Sequence, residues 1–443
     1  MKRTLQRSIV SLILAAAFVL GLGVLCFRYI TQGASWAAKP YNQHQSPEVA
    51  GVIYDRNGVV LAQSLGEERV FHEDYNVRVG TMHCVADESF NIATAVQNRK
   101  RAMLHGYSGL LGYSLPKELN SSRDVTLTLS GEVCGKVYEA FGGKKGACVV
   151  YNYKTGEVIC MVSAPSFDPQ NVPENPPDGS YYNNVVSTTY APGSIYKILT
   201  TVALIESGED VDELRFSCEG ERDFGGDDVR CMDGAHGEIG IYTAFSQSCN
   251  IAFSEAATKL GRENMQSISE KLGVTKSFSV SGIKTKAGNF DVSEATDNEL
   301  AWSGVGQHTN MVNPMQMAML CGAIANGGST REPIYIESST SPSSIKFMNN
   351  ETAYKMQDIM RYTVGNYYGD YMFSGLTCGA KTGTAEVGED KEANGWMVGY
   401  CNDEDYPLAF AVVVEEGGLG YYSAGPIASI ALVESARALG YEG

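Results

Sequence analysis

The chain has 443 residues, 44% of them apolar, with 34 Lys+Arg against 51 Asp+Glu and a formal net charge of −17. That length suits two or three domains with a sizeable core, and the composition is too apolar for a disordered chain. So acidic a surface argues against a nucleic-acid partner. The eleven cysteines are too sparse for a disulfide scaffold and show no CxxC spacing, and none of the six histidines sits in an HExxH pattern. No metal and no cofactor are expected.

Ile9 to Phe27 is an uncharged, predominantly apolar run, long enough to cross a bilayer. Lys2, Arg3 and Arg7 precede it and only Arg28 follows closely, which predicts a cytoplasmic N-terminus and an extracytoplasmic bulk. The small residues Ala34 to Ala38 offer a possible exit for a cleaved signal, but the apolar run is long for one. A retained signal anchor over residues 1–28 is the expectation.

Residues 31–50 are polar and form a linker. Val52 to Leu61, centred on Asn57-Gly58, predicts a strand, a turn and a second strand. Residues 65–125 show weak periodicity. Asp124 to Leu129 alternates and predicts a strand entering a new unit. Ala147–Tyr151 and Val158–Val162 predict a hairpin with Gly156 in its turn, and the Pro-, Asn- and Asp-rich residues 165–180 predict a loop. Trp396–Tyr400 and Leu408–Val414 bracket another turn, and Ile427–Leu439 predicts a closing helix. Strands at both ends around a helical middle imply an α+β fold, one antiparallel sheet flanked by helices.

Ser194 follows the turn Tyr190-Ala191-Pro192-Gly193 and opens an apolar run to Ile205, a buried helix stopped by Gly208. Lys197, three residues on, shares its face. A buried lysine loses proton affinity, and a neutral lysine beside a hydroxyl is the chemistry of a serine nucleophile with a lysine base. The rival is an N-cap serine with a snorkelling lysine. The motif alone is weak, because Ser-x-x-Lys recurs at Ser114/Lys117, Ser281/Lys284 and Ser343/Lys346. Next come Ser248-Cys249-Asn250, echoed at Ser89/Asn91, and Lys381-Thr382-Gly383-Thr384, echoed by Lys154-Thr155-Gly156 in the first hairpin turn. Helix capping by Asn250 and back-bonding by Ser248 are the bland readings of the second motif. Cys249 is expected to pack as a small hydrophobe.

The order Ser-x-x-Lys, Ser-x-Asn, Lys-Thr-Gly is that of the serine penicillin-recognising enzymes. On these motifs the chain resembles a class B penicillin-binding protein, a peptidoglycan D,D-transpeptidase. Tyr54 to Gly58, Ala164 to Pro169, Gly304 to Gln307, Asn313 to Ala318 and Ala325 to Gly328 resemble further family stretches; His308 departs where relatives often carry glycine. The resemblance implies a β-lactamase/D,D-peptidase-like transpeptidase domain over 146–443 and a small, mostly β pedestal over 29–145. It implies that Ser194 attacks the D-Ala-D-Ala carbonyl of a stem peptide, Lys197 takes the hydroxyl proton, Ser248 relays a proton, and Asn250 binds the substrate amide and orients Lys197. Lys381 would supply positive potential for the substrate carboxylate, held by the Thr382 and Thr384 hydroxyls. Gly383, lacking a Cβ, would let the substrate lie against the strand edge. The backbone N–H groups of Ser194 and Thr384 would form the oxyanion hole.

The same resemblance implies β-lactam antibiotics as covalent ligands and a membrane-embedded SEDS-type glycosyltransferase as partner, since 28–145 is too short for a polymerase domain. A β-lactam sensor or β-lactamase, with Glu294 as deacylating base, and a non-catalytic scaffold are the alternatives. Asp291 to Glu299 is strongly acidic and predicts a solvated loop, which argues against Glu294. Cys218 and Cys231 flank a Gly/Asp-rich insert and could bridge outside the membrane.

Overall fold

The computed structural model describes residues 2–37, 50–66, 68–87, 90–108, 113–114, 123–388 and 391–443. Most of the linker and parts of the weakly periodic stretch fall outside these. Helix α1 (Lys2–Ala37) contains a 25-residue stretch, Arg7–Thr31, with an 18-residue window of mean hydropathy 2.8, none of it buried. It is long and apolar enough to cross a membrane.

The predicted hairpin is present as β1 (Ile53–Tyr54) and β2 (Val60–Leu65), continued by β3 (Glu68–Phe71). Asp55 explains why the turn closes there. Its Oδ1 accepts from the backbone N–H groups of Asn57 and Val59, and its Oδ2 from Gly131 N–H. The Asp55→Ala variant should therefore lose about 3 kcal/mol of stability, because the Gly131 N–H becomes a buried unpaired donor and the turn loses two bonds. A urea titration checks it; an unchanged midpoint would refute this role.

Helix α2 (Tyr75–Val85) follows, capped by Asp74. The segment Asp124–Leu129 does not open a new unit by itself. Its strand β4 (Val125–Thr126) pairs parallel to β1 and completes the small sheet, while Leu127 bridges to Ile336. Helix α3 (Gly131–Ala140), capped by Ser130, lies against α2 on one side and the central sheet on the other. The apolar core consequently runs without a break from Ile53 to Ala436.

The central sheet begins with β5 (Gly146–Asn152) and β6 (Val158–Ala164), antiparallel and buried at every position. Arg78 of α2 grips Asp168 in the following loop through two bonds of 2.6 and 2.8 Å. That pair holds the Asp168 carboxyl down at about 2. After the nucleophile turn comes α4 (Lys197–Glu206), ending before Gly208 with φ +85°. An irregular insert carries β7 (Arg215–Cys218), β8 (Glu221–Arg222), β9 (Val229–Arg230) and β10 (Gly237–Gly240).

Helices α5 (Ile241–Ser246), α6 (Asn250–Lys271), α7 (Asp297–Gly304), α8 (Pro314–Ala325) and α9 (Asn350–Thr363) form the helical middle. Of the predicted acidic loop, Asp291 to Thr296 is loop, but Thr296 and Glu299 form a capping box that starts α7. Strands β11 (Cys378–Ala385), β12 (Asn394–Cys401) and β13 (Leu408–Val414) complete a five-stranded antiparallel sheet in the order β11-β12-β13-β5-β6. The closing helix α10 (Gly420–Arg437) starts earlier than its apolar run suggests and contains Pro426. The fold is the expected α+β arrangement, with β11 left at an edge.

Candidate active site

Ser194 does not begin the α-helix. It lies in a 3-10 turn, Gly193–Tyr196, that runs directly into α4. With about three residues per turn, residues i and i+3 still share a face, so Ser194 and Lys197 stay aligned. Three close approaches place this turn. Gly193 has φ +53° and donates its N–H to Gly306 O at 3.0 Å, and a Cβ on Gly193 would stand 2.2 Å from Thr384 O. A Cβ on Gly306 would stand 1.9 Å from Gly193 O. Trp396 donates its indole N–H to Ala191 O at 2.9 Å. The Gly193→Ala variant should keep its secondary structure yet acylate about 100-fold more slowly, because the displaced turn moves Ser194 off line. Wild-type rates with a labelled penicillin would overturn that.

Lys197 is fully buried and its Nζ donates to Ser248 O at 2.6 Å, Ser248 Oγ at 3.0 Å and Asn250 Oδ1 at 2.7 Å. Burial pulls its pKa down to about 7, opposed by the nearby Cys249 and Cys231. Lys381 is also fully buried; its Nζ donates to the same Ser248 Oγ at 3.1 Å and to Thr382 O at 2.9 Å. Burial, with repulsion from Lys197 second, pushes Lys381 well below the ordinary lysine range. Each ammonium faces an aromatic wall, Phe253 at 5.5 Å from Lys197 and Phe245 at 5.8 Å from Lys381. Ser248 Oγ thus bridges two lysines that oppose each other's charge. A hydroxyl there can pass a proton either way.

Ser248 holds this place with φ +57°, a conformation costly for a residue with a side chain. Cys249, expected as simple packing, caps α6 instead, its Sγ accepting from Ala252 N–H at 3.4 Å. Asn250 is the first helical residue, not the cap. Its Oδ1 serves Lys197 and its Nδ2 donates to Arg230 O at 2.7 Å.

On β11, Lys381 and Gly383 point into the protein and Thr382 and Thr384 lie half-buried. A Cβ on Gly383 would meet Pro192 O at 2.8 Å and Ile195 Cγ2 at 2.9 Å, so the missing side chain makes room for the nucleophile turn. Thr382 Oγ1 bonds Tyr368 OH at 2.8 Å, and Thr384 Oγ1 accepts from Gly420 N–H at 3.4 Å. Thr382 N–H is turned outward to Tyr368 OH at 3.0 Å; by strand alternation, Thr384 N–H also faces outward, beside the Ser194 turn.

The competing motif copies have structural work. Ser281 Oγ accepts from Tyr335 and Ile336 N–H, and Lys154 is exposed in the hairpin turn. Lys117 and Ser89 lie outside the described residues. Sequence reasoning missed Tyr368, Phe245 and Phe253, which no motif marks. His308 adopts φ +68°, a glycine-like conformation, which accounts for glycine being at home there.

Residues 146–432, well over half the chain, match the penicillin binding protein transpeptidase domain. The chain belongs to that family. It is 25% identical over 379 residues to the peptidoglycan D,D-transpeptidase PbpA of Mycolicibacterium smegmatis, covering 74% of this chain and 75% of that one. The corresponding match to PbpA of Mycobacterium tuberculosis takes in 63% of the relative's length. Among solved structures, the imipenem acyl-enzyme of M. tuberculosis penicillin-binding protein A superposes with TM-score 0.77 at 22% identity, over 89% of this chain and 99% of that one. PBP2 of Helicobacter pylori, solved in complex with MreC, gives TM-score 0.64 at 19% identity, over 72% and 65%.

Proposed function

We propose that this chain is a membrane-anchored peptidoglycan D,D-transpeptidase working through an acyl-enzyme on Ser194. The observation that carries the reading is the convergence of Lys197 and Lys381 on Ser248, with Asn250 Oδ1 accepting from Lys197, beside a nucleophile turn pressed onto an edge strand. Neutral Lys197 takes the Ser194 proton as Oγ bonds to the D-Ala-D-Ala carbonyl carbon. The resulting oxyanion meets the outward N–H groups of Ser194 and Thr384. Ser248 delivers a proton from the lysine pair to the departing D-Ala amine. An acceptor amine then attacks the ester, returns its proton by the same path and leaves a cross-link.

Asn250 already spans Lys197 and Arg230, so its amide is preorganised to orient the base. A substrate carboxylate beside Lys381 would restore that lysine's charge, which burial suppresses in the free enzyme. The Thr382 and Thr384 hydroxyls take part by exchanging their present partners for that carboxylate. A donor peptide ending in D-Ala-D-Ala, mixed with an acceptor amine, should yield free D-Ala and the cross-linked product. Penicillin labelling without any D-Ala release would favour a sensor.

The β-lactamase alternative finds little support, since Glu294 is exposed in the loop before α7. The acyl-enzyme should outlast its formation many times over. For the chain's division we keep 1–28 as anchor, 29–145 as pedestal and 146–443 as transpeptidase domain, a boundary matching the start of the family match at residue 146. Lys2, Arg3 and Arg7, at the start of α1 and ahead of its apolar run, support a cytoplasmic N-terminus and an extracytoplasmic catalytic domain. A SEDS-type glycosyltransferase is the partner proposed for polymerisation, and the H. pylori PBP2–MreC complex supports further protein partners.

A further inference from the structure

The insert between α4 and α6 holds a cluster that the transpeptidase chemistry does not use. Cys218 ends β7, Cys231 follows β9, His236 precedes β10, and Cys249 caps α6. Four separate elements thus send one soft donor each to a single point. Their ligand atoms all lie within 4.8 Å of one another. Cys218 Sγ stands 3.7 Å from Cys231 Sγ and 3.3 Å from His236 Nδ1, and Cys231 Sγ stands 3.8 Å from Cys249 Sγ.

These spacings discriminate between the two chemistries open to clustered thiols. A disulfide needs its sulfurs about 2.05 Å apart, and bridging Cys218 to Cys231 would leave Cys249 and His236 without a role. A tetrahedral zinc ion with Zn–S bonds of about 2.3 Å sets its sulfur ligands about 3.8 Å apart. Three thiolates and an imidazole also select zinc over the hard cations, which take oxygen ligands. The insert itself buries few apolar side chains, chiefly Phe216, Val229 and Ile239, and units with so little core commonly rely on a metal staple.

We propose that Cys218, Cys231, His236 and Cys249 form a structural zinc site that clamps the insert to the Ser248-Cys249-Asn250 turn. The three thiols release their protons to solvent as the ion binds. No spacing pattern announces these ligands: they lie 13, 5 and 13 residues apart, as their numbers show, with no CxxC pair among them. A Cys218–Cys231 bridge gives way in this reading to a shared ligand set. The site is not part of the reaction. It positions: Cys249 lies between two residues that hold Lys197, and Asn250 Nδ2 bonds Arg230 O, next to Cys231.

The test uses the full chain in detergent, purified without chelator or metal-binding tag. Elemental analysis should find stoichiometric zinc, and exchange for cobalt should give a thiolate-to-cobalt charge-transfer band with the visible bands of a tetrahedral ion. The His236→Ala variant, altered at a half-buried loop position, and Cys218→Ser should lose the zinc while keeping their circular dichroism. Removing zinc should slow acylation of Ser194 about tenfold, and adding zinc back should restore it, which simple unfolding of the insert would not predict. A metal-free chain, a Cys218–Cys231 disulfide by peptide mapping, or zinc retained after replacing all three cysteines and His236 would each overturn the site.

Discussion

Replacing Ser194 by alanine leaves the purified protein without any β-lactam adduct, as read by intact-protein mass spectrometry. The expectation is an all-or-none loss, because on the proposed mechanism the ester forms on that oxygen and, among the described residues, no other serine stands between a glycine-braced turn and an outward strand N–H. The nearest rival is Ser248, whose Oγ already accepts from Lys197 at 3.0 Å and Lys381 at 3.1 Å. A hydroxyl oxygen already engaged by two lysine Nζ atoms is a poor nucleophile. An adduct that persists in Ser194→Ala, mapped to Ser248, would reverse the two assignments.

Replacing Lys197 by alanine should slow acylation by about a thousandfold, the usual worth of a positioned general base. The pH dependence gives an independent check. Burial brings the lysine to about 7, and only its neutral form accepts the Ser194 proton. Below that value the ammonium dominates, so the acylation rate should fall about tenfold per pH unit toward acid and level off above neutrality. Lys197→Ala should abolish this limb of the profile. A profile that is flat from acid to neutral in the wild-type chain, or unchanged in the variant, would remove Lys197 as the base.

How much of this was legible in advance depended on whether a residue acts through its type or through its neighbours. Ser194, Lys197, Ser248, Asn250 and Lys381 were legible because their order along the chain is a pattern in itself. The hairpins at Gly156 and at Asn402 to Asp405 were legible from apolar runs broken by turn residues. The start of α10 was not, because Gly420 to Pro426 is a poor helix former that tertiary packing carries. The packing of the Ser194 turn against Gly383 was not legible, since a strand glycine tells that something approaches closely but not from which side. The donors at 218, 231, 236 and 249 were invisible because only the folded insert brings them together.

The position of β11 has a consequence for solubility. A sheet margin with free N–H and C=O groups recruits any extended chain, including a neighbour's. Here both outward groups of Thr382 are occupied, the N–H by Tyr368 OH and the carbonyl by Lys381 Nζ, and the Thr384 carbonyl lies against Gly193. The Thr384 N–H is left facing outward. A short peptide tail can dock there end-on, whereas a passing strand cannot find the run of consecutive sites it needs to zip up. The protein therefore keeps a docking margin exposed without becoming a seed for self-association.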